Sequence, residues 1–208
     1  MNQDILKTEI FNQIDIEVLL KKEEKVRVLL LEDSNDIALL RELAFILYHK
    51  GEYSNAIKIY RKIIDIREGT SEELAFLGQL YYENEEYLEA INAFEKSLDL
   101  DPDAAFVHFL LGNAYSRAGR VMEAITSYDF AIFLDLDIYR AHIDFAEKYE
   151  KMGLLERALK EYIVAYEIDP REKKIEKKIR KIKENLEKKI NWFFWIYIKE
   201  SRWFTVFH

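Results

Sequence analysis

The chain contains no cysteine, two prolines and six glycines in 208 residues. Without thiols it has no disulfides, no thiolate zinc site and no cysteine nucleophile. β-Sandwiches and doubly wound folds need many turn residues, so the shortage of Gly and Pro points to long helices joined by short loops. No run approaches the roughly 20 apolar residues of a membrane-spanning helix. The first thirty residues hold no signal-peptide core, because Asp4, Lys7, Glu9, Asp15, Glu17 and Lys21 interrupt it, and a cytoplasmic location is the expectation. Catalytic signatures are missing too: no P-loop, no G-x-G-x-x-G, no H-E-x-x-H and no G-x-S-x-G. Neither an enzyme nor a cofactor is expected.

Half of the residues are apolar and a third are charged, the composition of a folded protein. The net charge of −8 is unevenly spread. Residues 171–189 hold ten Lys/Arg against four Asp/Glu, and residues 171–208 together carry +7, which leaves −15 on the first 170. Such an acidic body repels phosphate backbones, so nucleic acid is not an expected partner.

A period of 34 residues runs through the middle of the chain. Ala56, Ala90, Ala124 and Ala158 are spaced by it, and four residues after each stands an aromatic: Tyr60, Phe94, Tyr128 and Tyr162. With repeats starting at Ile37, Ser71, Ala105 and Tyr139, position eight is Ala44, Gly78, Gly112 and Ala146. Position eleven is Leu47, Tyr81, Tyr115 and Tyr149, and position fifteen is Gly51, Glu85, Gly119 and Gly153. Both prolines, Pro102 and Pro170, fall at position thirty-two. Each period accommodates two helices, over positions 1–14 and 18–31, or Ser71–Asn84 and Tyr87–Leu100 in the second repeat. Small residues at positions eight and twenty let the paired helices approach, and the aromatic at twenty-four fills the gap beside them. Glycine at fifteen suits a left-handed helix end, and proline at thirty-two stops the second helix. Thr70 and Glu73 have the spacing of a capping box at the start of repeat two.

This pattern resembles the tetratricopeptide repeat (TPR) family over Ile37–Glu172. It departs at position four, where Leu40, Leu74, His108 and His142 replace the signature tryptophan. The resemblance implies an all-α, right-handed superhelical solenoid of antiparallel helix pairs with N- and C-terminal capping helices. The expected divisions are a helical cap or degenerate repeat over 1–36, repeats at 37–70, 71–104, 105–138 and 139–172, a basic capping helix over 173–189 and an aromatic tail over 190–208. Leu6, Ile10, Val18, Val26 and Leu29 supply apolar positions for helices in the first segment. Ile175, Ile179, Ile182 and Leu186 mark one face of the capping helix. His108 and His142 share a repeat position, but with no cysteine to complete a site they read as replacements for the packing tryptophan, and no metal is expected.

In the family, the first helices of the pairs line a groove that receives a peptide. Carried onto this sequence, the candidate groove residues are Arg41, Phe45, Tyr48, Gln79, Tyr82, Phe106, Phe109, Asn113, Arg117 and Arg140. The Lys/Asn clamp by which one TPR subclass holds the carboxylate of chaperone tails is not reproduced. Arg41 and Phe45 stand at its first two positions, and Phe109 precedes Asn113 in repeat three. The aromatic and arginine content instead suits an amphipathic peptide with acidic residues.

The tail 190–208 holds eight aromatics, including all three tryptophans. About 1,600 Å² of ring surface needs a cover. It can fold back on the solenoid, meet a second copy or a partner protein, or lie on a membrane surface behind the basic stretch. Trp192, Phe193, Phe194, Trp195, Trp203 and Phe204 are the candidate interface residues. The leading functional expectation is a non-catalytic scaffold or adaptor that binds a partner's peptide segment and supports complex assembly. The alternatives are a cytoplasmic TPR chaperone for exported proteins and a membrane-peripheral assembly factor docking through the tail.

Overall fold

The computed structural model of the chain describes the backbone of residues 3–11 and 15–203, and the side chains of residues 6–11, 15 and 17–189. Among the described residues there are helices and turns and no strand. Their order is α1 (Gln3–Phe11), α2 (Ile16–Glu32), α3 (Ile37–His49), α4 (Tyr53–Ile66), α5 (Ser71–Glu83), α6 (Tyr87–Leu100), α7 (Ala105–Arg117), α8 (Val121–Phe133), α9 (Ile138–Lys151), α10 (Leu155–Ile168) and α11 (Lys173–Trp203). The chain divides into two compact units, Met1–Leu136 and Asp137–His208.

In the first unit, α3 with α4, α5 with α6 and α7 with α8 are hairpins closed by three-residue turns, and successive helices pack on one another from α2 to α8. The helix starts are set by local chemistry. The Asp36 carboxylate accepts from Leu39 N at 3.0 Å. Thr70 and Glu73 form the capping box that their spacing anticipates: Thr70 Oγ1 accepts from Glu73 N at 3.3 Å, and Glu73 Oε2 accepts from Thr70 N at 3.0 Å. The helix ends follow one turn design. In the first repeat Gly51 takes φ +76°, its N–H donates to Tyr48 O and Glu52 N–H donates to Leu47 O. Repeat two makes the same bonds without glycine: Glu85, at φ +65°, donates to Tyr82 O and Glu86 donates to Tyr81 O.

The core of each hairpin is where small residues meet rings. Ala56 and Ala90 are fully buried, as are Tyr60 and Phe94 four residues on. The fit at position eight is close: a Cβ built on Gly78 would lie 2.7 Å from the Phe94 ring, and one on Gly112 would lie 2.6 Å from that of Tyr128.

α2 packs on α3, whereas the short α1 lies against α5 and α7. Leu6, Ile10 and Val26 are buried as their spacing suggests, but Val18 and Leu29 are exposed.

In the second unit, α9 and α10 form a further hairpin and α11 packs on α10 through buried Ile175 and Ile182. Ala158, Tyr162 and Ala146 repeat the small-residue and ring packing of the first unit. Glu150 ties the three helices together, accepting from Tyr162 Oη at 2.9 Å and from Lys178 Nζ at 2.6 Å. The aromatic segment continues the basic helix without a break as far as Trp203. The side chains of Trp192, Phe193, Phe194, Trp195 and Trp203, and the whole of Phe204, lie outside the described residues. No described helix is long and apolar enough to cross a membrane.

Candidate functional site

The first helices of the three hairpins in the first unit, α3, α5 and α7, carry nine of the ten candidate groove residues; the tenth, Arg140, is on α9 in the second unit. The nine divide by what surrounds them. Arg41, Phe45 and Tyr82 are half-buried and Arg117 is exposed. Tyr48, Gln79, Phe106, Phe109 and Asn113 are buried.

Burial has a different cause at each position. The Tyr48 ring packs 5.2 Å from that of Phe76 and 5.8 Å from that of Tyr53, joining the first repeat to the second. Gln79 Nε2 donates to Glu83 Oε1 at 3.0 Å, one helical turn on. Asn113 Oδ1 accepts from Tyr128 Oη at 2.7 Å, and the Phe109 ring lies 6.1 Å from the Tyr128 ring, both within the third hairpin. Phe106 stacks on Phe109 at 6.0 Å, and α1 lies on its other side, with the Phe11 ring 6.1 Å away and Lys7 Nζ 5.3 Å from the ring centroid.

The accessible residues form two polar-aromatic groups. At one, Arg41 Nε lies 3.7 Å from buried Glu73, whose Oε1 also accepts from Arg67 Nη2 at 2.7 Å. Burial opposes the Arg41 charge, but Tyr60, Glu73 and Glu9 outweigh it and push the guanidinium pKa further up. At the other, Arg117 Nη2 donates to Tyr87 Oη at 3.2 Å, and the Tyr87 ring meets Tyr82 edge-on at 5.7 Å. Phe45 stands beside His49, ring centroids 4.4 Å apart. Arg140 pairs with Asp144 at 2.7 Å.

The 34-residue repeat pattern did not place α1 on this face. Leu6 and Ile10, four residues apart and therefore on one side of the helix, are 3% and 0% exposed. His49 Nε2 donates to the Glu9 carbonyl oxygen at 2.9 Å. The Glu9 carboxyl is pushed up by burial, and neighbouring Glu72 and Glu73 add to the rise while Arg41 opposes it. A cavity of only about 20 Å³ remains beside Leu6, bounded by Glu72, Ala75 and Phe106 among others. The i, i+4 spacing of Leu6 and Ile10 is the one signal in the sequence that could have found this.

The two histidines of position four are each satisfied locally: His108 Nε2 bonds Pro102 O at 2.9 Å, and His142 Nδ1 bonds Glu161 Oε2 at 2.7 Å. No three His, Asp or Glu side chains among the described residues are grouped as metal ligands would be. The arrangement offers apolar contact, ring faces and guanidinium donors.

Sequence profiles described as tetratricopeptide or TPR repeats match residues 42–70, 78–119 and 109–172. No curated protein sequence matches the chain. Among solved structures, a tetratricopeptide repeat protein from Parabacteroides merdae ATCC 43184 is similar at TM-score 0.58 and 18% identity, covering 91% of this chain and 75% of its own. MamA from Desulfovibrio magneticus RS-1 is similar at TM-score 0.57 and 18% identity, over 74% and 87% of the two chains. YrrB, described as a TPR protein with an unusual peptide-binding site, is similar at TM-score 0.51 and 21% identity, over 79% and 85%. At these identities the likeness is one of fold.

Proposed function

The chain belongs to the tetratricopeptide repeat family, and from that we propose that it is a non-catalytic protein-interaction scaffold holding a peptide segment of a partner on the face built by α3, α5 and α7. One observation carries the proposal: this face already holds a segment from outside the repeats, with Leu6 and Ile10 of α1 buried against it. Beside that segment, Phe45, Tyr82, Arg41 and Arg117 stay accessible. Rings give contact area at small entropic cost, and guanidinium groups pair with acidic side chains of a ligand. YrrB's described peptide-binding site makes a peptide the natural class of ligand to test.

The test is affinity capture from an extract of the source organism. The wild-type chain is compared with a Phe45→Ala, Tyr82→Ala, Arg117→Glu variant, whose changed side chains are not core residues. Specific proteins retained by the wild type and lost by the variant support the proposal. The same proteins retained by both would exclude this face as the contact.

A further inference from the structure

Building on the peptide-binding reading, we infer that the α5–α7 face is a helix-binding groove whose resident ligand is α1, and that its external ligand is an amphipathic helix of α1's pattern which must displace α1.

α1 has nine residues, too short to be a stable helix in water by itself. Its helical form therefore depends on what it lies against. The docking has the anatomy of a helix in a groove. Leu6 and Ile10 are the apolar anchors at i and i+4, Phe11 meets Phe106, and Lys7 stands over the face of the same ring. His49 fixes the register by one hydrogen bond to the Glu9 carbonyl.

The segment is also imperfectly matched. The Glu9 side chain sits near Glu72 and Glu73 with Arg41 as the compensating charge, and burial disfavours its ionised form. Like charges at close range weaken an interface, so α1 is a ligand that a better helix can replace. The groove's chemistry specifies that helix: apolar residues at i and i+4, an aromatic at i+5, a basic residue at i+1, and a neutral or basic residue where α1 has Glu9. A tethered ligand lowers the apparent affinity for a free one in proportion to its occupancy.

The experiment uses the full-length chain and a fluorescent synthetic peptide of residues 1–14, with binding read by anisotropy. Ile10→Asp in the chain releases α1, and Ile10→Ala releases it partially without burying a charge. Circular dichroism checks that both variants keep the helical fold. The peptide is expected to bind Ile10→Asp about tenfold or more tightly than wild type, with Ile10→Ala in between. A peptide carrying Glu9→Gln should bind Ile10→Asp more tightly still, and one carrying Ile10→Asp should not bind. Equal binding to the wild-type and released chains, or no binding to either, overturns the inference. Those outcomes leave the peptide-binding reading to the Phe45, Tyr82 and Arg117 capture experiment, so the two fail separately.

Discussion

Replacing Gly78 by alanine sets two effects of opposite sign against each other. In a helix interior alanine is better than glycine by about 1 kcal/mol. The added Cβ, however, would lie 2.7 Å from both Cδ1 and Cε1 of Phe94. Carbon atoms pack comfortably at about 3.5–4.0 Å, so ring or helix must retreat by about 1 Å. Phe94 is fully buried. Overpacking of this kind costs about 1–3 kcal/mol. The expected balance is a net loss of about 1 kcal/mol, or a fall in Tm of about 2–4 °C for a chain of this size. Repeats one and four carry Ala44 and Ala146 at this position, so the clash is set by how close the ring sits, as with Phe94 in repeat two and Tyr128 in repeat three, and not by the repeat pattern itself. Phe94→Leu should therefore reduce the penalty of Gly78→Ala, giving a non-additive double-mutant cycle. Urea denaturation and thermal circular dichroism of the four chains measure this. A Gly78→Ala variant that is more stable than wild type would refute the close-approach explanation of the glycine.

Three more outcomes are expected. Glu85→Gly should stabilise the chain by about 0.5–1 kcal/mol, because the residue sits at φ +65° where its counterparts in the other repeats are glycine; denaturation midpoints would show it. The second concerns acid. In the second unit burial pushes the Glu150 carboxyl up, but hydrogen bonds from Lys178 and Tyr162 outweigh it and hold the group below its ordinary value. That contribution to α11 docking is present above the ordinary carboxylate range and is lost as pH falls through the lowered value. Lys178→Met should move the Glu150 titration upward, as read by NMR. The third concerns α1. Glu9 is raised by burial, so docking is unaffected below its ordinary value and is weakened as pH rises through the raised one. The wild-type chain should therefore bind the 1–14 peptide better at pH 7 than at pH 5 by a larger factor than Glu9→Gln does, and using one peptide for both chains cancels the peptide's own titration.

Much of the hairpin interior was legible because it rests on local rules repeated four times. Small residues at positions eight and twenty, and rings at twenty-four, have one physical use in a close helix pair, and the structure puts Gly78 against Phe94 as that use requires. The capping box at Thr70 was equally readable, since it involves side chains three residues apart. The face of α3, α5 and α7 was harder. Tyr48 and Phe109 occupy nominal groove positions, yet their rings turn to Phe76 and Tyr128, because repeat position fixes the backbone and leaves rotamer and neighbour to decide exposure. α1 was least legible of all. A nine-residue helix with two anchors has little periodicity, and its place depends on contacts with residues such as His49, Ala75 and Phe106, far along the chain. Glu85 shows the reverse case, a left-handed turn kept by its hydrogen bonds although the residue that favours it is missing.

The most direct measurement of the central claim is amide chemical-shift mapping. The isotope-labelled full-length Ile10→Asp chain is titrated with the unlabelled 1–14 peptide. If the α3, α5 and α7 face is the contact surface, the shifts concentrate at His49, over Ser71–Ala75 and over Ala104–Phe109. Shifts confined to α4, α6 and α8, or none at saturating peptide, would contradict it.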